Sequence, residues 1–401
     1  MSLNSTVSAL RPHIAFFGRR NAGKSSVVNA VTSQKLSVVS DTPGTTTDPV
    51  KKAMELLPLG PVVIIDTPGF DDEGALGALR VEKTREVLRK TDIAVLVVDS
   101  TTGLREADKA LIDEFVSRGL PHLIVFNKID LAEKSPQGDK HTLCVSALTG
   151  EGIGELKERL AHLIKSDTKE KYIVADLVDT GDTVILVIPI DESAPKGRII
   201  LPQQQVLREL LDHHCTVICC QDTELKATLG KLKEDPALVI TDSQAFKRVA
   251  ENTPAGVPMT SFSILFARYK GDLENLIEGA NMLKNLSDGD RVLISEGCTH
   301  HRQCGDIGTV KMPAWIQAYS GANVDFDFTS GGTFPDDLSP YQVVVHCGGC
   351  MLNEKEMQHR QRVACEAGVP MVNYGVAIAA MNGILDRALE PVKSQELGVR
   401  S

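Results

Sequence analysis

The chain has 401 residues, enough for two or three domains that each bury a core. Aromatic residues make up 4% of it, with one Trp, while aliphatic residues dominate; that balance suits α/β proteins whose parallel strands are buried on both faces. The net charge of −10, with no long run of Lys and Arg, argues against a stable nucleic-acid partner such as RNA or the ribosome.

The first residues, MSLNSTVSALRPHIAF, lack a charged segment followed by an apolar one, so no secretory leader is expected. No apolar stretch approaches the ~20 residues of a membrane helix. A cytoplasmic protein with no membrane contact is expected. Its nine cysteines should then be reduced thiols or metal ligands.

From residue 12 to about 165, apolar strands alternate with helices: HIAFFG, a helix from residue 24, then VVIIDT, AVLVVD, HLIVFN and TLCVSA. This is the rhythm of a doubly wound sheet. Strand HIAFF runs into G-R-R-N-A-G-K-S at 18–25, which fits G-x-x-x-x-G-K-S in the strand-to-helix context that a P-loop needs. Gly18 and Gly23 permit close backbone approach. The N–H groups of Asn21, Ala22, Gly23 and Lys24, at a helix N-terminus followed by Ser25 and Ser26, can wrap phosphates. Lys24 would reach the β- and γ-phosphates, and the Ser25 hydroxyl would ligate Mg²⁺.

Further motifs follow in order. The loop PGTTTD at 43–48 supplies Thr45 and Thr46, of which Thr46 is expected to cap Mg²⁺ and sense the γ-phosphate. DTPG at 66–69 places Asp66 toward Mg²⁺ and the Gly69 N–H toward the γ-phosphate. NKID at 127–130 supplies Asp130, whose carboxylate can accept from N1–H and the exocyclic amine of guanine. Adenine lacks that donor pair, so such a site discriminates by roughly 10⁴ or more. Asn127 and Lys128 would brace the loop and cover the base. Ser146, Ala147 and Leu148 offer a backbone N–H to the guanine carbonyl. Residues 12–165 thus resemble small GTPases, within them the Era/TrmE-like branch. After DTPG comes Phe70 where Ras-like proteins carry glutamine, so slow hydrolysis is expected. Asn21 stands where potassium-stimulated relatives use an asparagine to hold K⁺; a plain loop-capping role is the alternative.

A second α/β stretch begins near Tyr172, with strand VILVIPI, helix 201–215, strand TVICCQD, a helix from Thr223, and strand ALVITD. No catalytic motif stands out, which suits an oligomerisation or spacer domain. A third opens with the helical spacing of residues 272–286. It continues with strands RVLISE, VDFDF, YQVVVH and VPMVNYG, a charged helix near 353–367, and a closing helix VAIAAMNGILDRAL. The expected organisation is therefore α/β throughout. A P-loop domain with a doubly wound sheet spans 1–168, a second domain 169–268 and a third 269–401. The last two are smaller, with mainly parallel sheets.

In the third domain, C-T-H at 298–300 follows RVLISE and H-C-G-G-C at 346–350 follows YQVVV. If those strands are parallel, both motifs emerge at the carboxyl end of one sheet, where open α/β sheets place ligands. Cys298, Cys347 and Cys350 supply three thiolates. His300 and His346 are candidates for a fourth ligand or for hydrogen bonding beside it, with His301 and Cys304 as rivals. Cys₃His also suits structural zinc. Three thiolates from separate strand ends of a self-sufficient domain fit a [4Fe–4S] cluster with one exchangeable position.

With these motifs the whole chain resembles the HydF family, the [FeFe]-hydrogenase maturation GTPases. The resemblance implies a homodimer or higher oligomer. It implies a scaffold that receives a transient diiron precursor from two radical-SAM maturases and delivers it to apo-[FeFe]-hydrogenase. Two other readings are weighed. One is an RNA-modification or ribosome-assembly GTPase of the Era/TrmE branch with structural zinc. The other is a redox enzyme whose cluster carries electrons, for which no flavin or dinucleotide fingerprint is evident.

Overall fold

The computed structural model describes residues 11–33, 49–69, 83–132, 139–166, 171–190, 199–297, 306–349 and 352–396. Two compact units result, residues 1–169 and 170–401.

The first unit is a six-stranded sheet: β1 (His13–Phe17), β2 (Val50–Leu56), β3 (Gly60–Asp66), β4 (Ile93–Asp99), β5 (His122–Asn127) and β6 (Thr142–Cys144). Its order is β2-β3-β1-β4-β5-β6, with only β2 antiparallel. Successive side chains of a strand point to opposite faces. Ile14 and Phe16 accordingly pack with helices α1 (Lys24–Thr32) and α3 (Ile153–Ser166). Ala15 and Phe17 pack with α2 (Glu106–Ser117) on the other face. The VVIIDT, AVLVVD, HLIVFN and TLCVSA runs are β3 to β6, as expected. Strand β2 was not foreseen: VKKAMEL is exposed at five of its seven positions and exists as a strand by pairing along β3.

The second unit holds two four-stranded sheets, both wholly parallel. One contains β7 (Thr183–Val187), β8 (Thr216–Cys220), β9 (Leu238–Thr241) and β10 (Met259–Ser261), in the order β10-β9-β7-β8. Helices α4 (Leu201–Asp212), α5 (Leu225–Leu229), α6 (Phe246–Asn252) and α7 (Phe262–Lys270) follow its strands in turn. The other begins with α8 (Leu273–Leu283) and holds β11 (Arg291–Glu296), β12 (Asp325–Ser330), β13 (Val343–His346) and β14 (Met371–Asn373), ordered β12-β11-β13-β14. Its helices are α9 (Met312–Ser320), α10 (Glu354–Glu366), α11 (Tyr374–Met381) and α12 (Leu385–Glu396).

Counted within each sheet, both orders read 2-1-3-4. The two domains therefore share one plan, which the sequence does not reveal. One apolar core runs from Ile185 of β7 and Phe246 of α6 to Ile294 of β11, Val345 of β13 and Leu389 of α12. Three expected elements differ in extent. VILVIPI stops as a strand at Val187, the helix from Thr223 is limited to Leu225–Leu229, and the closing helix divides at residues 382–384 into α11 and α12. No described helix is long and apolar enough to cross a membrane.

Candidate functional site

In the N-terminal unit, the P-loop turns from β1 into α1. Gly18 (φ +149°) and Gly23 (φ +86°) lie where L side chains rarely go. A Cβ on Gly23 would stand 2.2 Å from Asn127 Nδ2, and one on Gly18 would stand 2.3 Å from the Val97 carbonyl oxygen. Lys24 is buried and donates to the Arg19 carbonyl at 2.9 Å. Ser25 Oγ donates to Asp66 Oδ2 at 2.7 Å. The other Asp66 oxygen, Oδ1, is buried with no hydrogen-bond partner. An orphaned carboxylate oxygen beside a serine hydroxyl fits a hard, oxygen-seeking divalent cation such as Mg²⁺. Gly69 lies against Arg20.

The base-side residues converge on the same loop. Asn127 Nδ2 donates to the Ala22 carbonyl at 3.1 Å, and its Oδ1 accepts from the Ala147 N–H at 3.0 Å. Lys128 Nζ donates to the Asn21 carbonyl and to Asp99 Oδ2, each at 2.6 Å. Burial works against the Asp99 charge. The hydrogen bonds from Lys128 and Thr101 outweigh it and hold the carboxyl below its ordinary range. Ser146 Oγ donates to Asp130 Oδ1 at 2.6 Å, which fixes the carboxylate's plane. Leu148 is exposed. Asn21 has φ +59° and an exposed side chain. Thr45, Thr46 and Phe70 lie outside the described residues.

Sequence reasoning missed two ties in this unit. Asp99 ends β4 as the acceptor for Lys128. Arg19 is buried, with Nε donating to Asp108 Oδ2 at 3.0 Å and Nη2 to the Gly103 carbonyl at 3.0 Å. Arg19 lies inside the P-loop motif but at one of its variable positions, and Asp99 ends the AVLVVD run; the pattern at neither position names its distant partner.

In the second unit, β11 and β13 are adjacent and parallel, with Ser295 opposite His346. In a sheet ordered 2-1-3-4 these are the first and third strands, between which the order reverses. Ligands of open α/β sheets bind at the carboxyl side of that point. Strand β11 ends at Glu296, two residues before Cys298 in the sequence, and β13 ends at His346, next to Cys347. Cys347 Sγ accepts from the N–H groups of Gly297 (3.0 Å) and Gly349 (3.5 Å). Such donors favour thiolate and tune iron–sulfur centres, so this thiol fits a thiolate-bound group. Cys298, His300, His301, Cys304 and Cys350 lie outside the described residues. Among the described residues no three His, Cys, Asp or Glu side chains are set to hold a metal.

His346 is fully buried, and both its ring nitrogens are engaged. Arg360 can only donate, so His346 Nε2 accepts from Nη1 at 2.9 Å, and Nδ1–H donates to the Cys347 carbonyl at 2.6 Å. Of the two roles kept open for His346, hydrogen bonding beside the site is the one this arrangement provides. Burial, then the Arg360 guanidinium, push its pKa down to about 3 against the opposing pull of the Cys347 carbonyl.

Arg360 is itself fully buried. It pairs with Glu356 at 2.9 Å, donates to the Gly331 carbonyl at 2.8 Å and lies over the Phe334 ring. On another side Tyr374 OH donates to Glu296 Oε1 at 3.3 Å. Burial, then Glu296 and Cys347, raise the tyrosine's pKa. Neither Arg360 nor Tyr374 carried a sequence signal, because each reaches the site only through the packing of α10 and α11.

Residues 13–128 match a family model described as a 50S ribosome-binding GTPase. Residues 173–271 match the hydrogen maturase F dimerization domain, and residues 274–391 the hydrogen maturase F tetramerization domain. The tRNA modification GTPase MnmE of Nitrosospira multiformis is 34% identical over 158 residues, covering 38% of this chain and 34% of that protein. The GTPase Der of Acidithiobacillus ferrooxidans is 33% identical over 196 residues, covering 44% of this chain and 43% of that protein. The chain thus spans less than half the length of these curated relatives. A solved structure of Era with MgGDPNP and a segment of 16S ribosomal RNA aligns with a TM-score of 0.34 and 19% identity, over 53% of this chain and 95% of that one. A GTPase domain followed by both maturase F domains on one chain makes it a member of the hydrogen maturase F (HydF) family.

Proposed function

We propose that this chain is a GTP-binding and GTP-hydrolysing scaffold in [FeFe]-hydrogenase maturation, working as an oligomer. In the N-terminal domain, Lys24 and the N–H groups of Asn21 to Ser25 hold the phosphates, and Asp130, braced by Ser146, reads guanine. Asn127 locks the P-loop to the base-side loop. Mg²⁺ held by Ser25, Thr46 and, at longer range, Asp66 would supply charge neutralisation at the phosphates. Asn21 is assigned to K⁺, and with Phe70 after DTPG the hydrolysis is slow, suiting regulation of assembly between GTP and GDP states.

In the C-terminal domain, Cys298, Cys347 and Cys350 are the ligands of a [4Fe–4S] cluster. When bound, the cluster supplies an iron with an exchangeable position. His346 stays hydrogen-bonded beside it, and His300 is the first candidate for that position, with His301 and Cys304 as its rivals. The cargo is a transient diiron precursor, received from two radical-SAM maturases and passed to apo-[FeFe]-hydrogenase. The observation that supports this reading is the register of β11 and β13, neighbouring parallel strands at the reversal point of one sheet, whose carboxyl ends directly precede Cys298 and Cys347 in the sequence. The net charge of −10 weighs against the RNA-directed alternative.

The test is anaerobic purification with iron, sulfide and zinc analysis, EPR and hydrogenase activation, in parallel with GTP turnover. Cys347→Ala should lose the cluster and activation while keeping turnover. Lys24→Ala should do the reverse for turnover and iron content. Zinc in place of iron and sulfide, in protein that still activates hydrogenase, would overturn the cluster assignment.

A further inference from the structure

Helix α7 belongs to the dimerisation domain, where Phe262, Leu265 and Phe266 sit in the core against that domain's own sheet. Its last residue, Lys270, is only 3% exposed. The Lys270 ammonium donates to the Gly349 carbonyl at 3.1 Å and to the Leu352 carbonyl at 3.0 Å. It also lies 5.5 Å from the Phe266 ring centre. These two carbonyls flank Cys350 in the sequence.

Burying an ammonium is unfavourable unless acceptors meet it, so the two carbonyls are held toward Lys270 and cannot turn freely. Fixing them anchors the chain at residues 349 and 352. The Gly349 N–H points to Cys347 Sγ, and the Leu352 N–H closes a turn onto the same Gly349 carbonyl at 3.0 Å. A small cavity completes the picture, lined by Lys270 and Phe266 from α7 and by Cys347, Gly348, Met357 and Gln361. One cation from the neighbouring domain thus holds the chain at Gly349 and Leu352, beside Cys347 and next to two glycines that would otherwise leave it loose.

We propose that Lys270 is a positioning residue. Anchored in the dimerisation domain, it pins the chain at Gly349 and Leu352, which flank Cys350 in the sequence, and sets a fixed positive charge near the Cys347 thiol. The pinning stands on the contacts alone; its effect on a bound cluster rests on the reading given under Proposed function. A displacement of α7 would then be felt directly at the cysteine loop.

The test uses the full-length chain. In metal-free protein, hydrogen exchange over residues 347–353 should accelerate about tenfold in Lys270→Met, with exchange in β13 and α10 as internal controls. Lys270→Arg should restore the slow rate. If the Met variant does not fold, Lys270→Gln, which keeps a donor but no charge, takes its place. Unchanged exchange in the folded variant overturns the pinning.

In anaerobically reconstituted protein, loss of the cation should shift the one-electron couple about tenfold toward the oxidised form, a fall of about 59 mV followed by EPR-monitored titration. Lys270→Arg should hold the wild-type potential. Equal potentials in wild type and Met variant overturn the charge effect. If the wild type binds no iron or sulfide, the cluster reading fails while the exchange result still decides the pinning.

Discussion

Asn127 is the residue on which the two halves of the nucleotide site meet, and its removal has a calculable cost. Its side chain is 2% exposed; it donates to the Ala22 carbonyl of the P-loop and accepts from the Ala147 N–H of the base-side loop. Asn127→Ala deletes both bonds at once. A typical intramolecular hydrogen bond contributes about 1 kcal/mol net, so the loss is about 2 kcal/mol. Because the bonds join two loops that must both face the nucleotide, most of that loss should appear in binding. At about 1.4 kcal/mol per tenfold, affinity should fall about 30-fold. The assay is a fluorescent GDP titration of wild type and variant. Thermal unfolding without nucleotide would show how much of the change is lost stability. A folded variant whose Kd stays within about threefold of wild type would refute the claim that Asn127 couples the loops.

The remaining predictions for this domain are direct. Asp130→Asn should exchange preference from GTP to xanthosine triphosphate, measured by competition binding, and equal wild-type affinity for ATP and GTP would remove the guanine assignment. Turnover without partners should lie within an order or two of ~10⁻³ s⁻¹. It should rise when K⁺ replaces Na⁺, and Asn21→Ala should erase that difference. Equal wild-type rates in both salts would end the potassium assignment.

The nucleotide site was legible because its chemistry is written in contiguous motifs at strand ends. Gly18 to Ser25, Asp66, Asn127 to Asp130 and Ser146 each follow an apolar run long enough to read as a buried strand. The ties between motifs were not legible. Asp99 and Arg19 act through contacts with residues about 30 and 90 positions away, which the local sequence does not reveal. Strand β2 escaped notice because an exposed edge strand lacks the apolar pattern by which strands are recognised. The cysteine segments were legible as metal-binding candidates, but whether the strands before them are neighbours depended on strand order. Order is set by which helices cover which face, and the reversal between β11 and β13 emerges only from the assembled sheet. Arg360 and Lys270 read as ordinary cations on helices; their burial comes from the neighbouring elements.

The buried His346 also makes the second unit sensitive to acid in a way that fixes its own test. In the folded chain its pKa is about 3, because burial and the Arg360 guanidinium oppose the charged ring; its ordinary value is 6.5. As pH falls below 6.5 the unfolded chain takes up this proton and the folded chain does not. The stability that neutral His346 contributes is therefore complete above pH 6.5 and is lost progressively toward pH 3. At pH 5 the difference amounts to about 2 kcal/mol. A pH change acts on every titratable group of the chain, so the comparison is with His346→Asn. That variant loses the Arg360 contact at every pH but has no ring to protonate. The metal-free chain would be unfolded in urea at pH 7.5 and pH 5. The one Trp, Trp315 on α9, reports on this unit by fluorescence. Wild type should lose about 2 kcal/mol more than the variant between the two pH values. An equal loss in both would mean that His346 is not held neutral in the fold, and that the Arg360–His346–Cys347 arrangement is not the one present in solution.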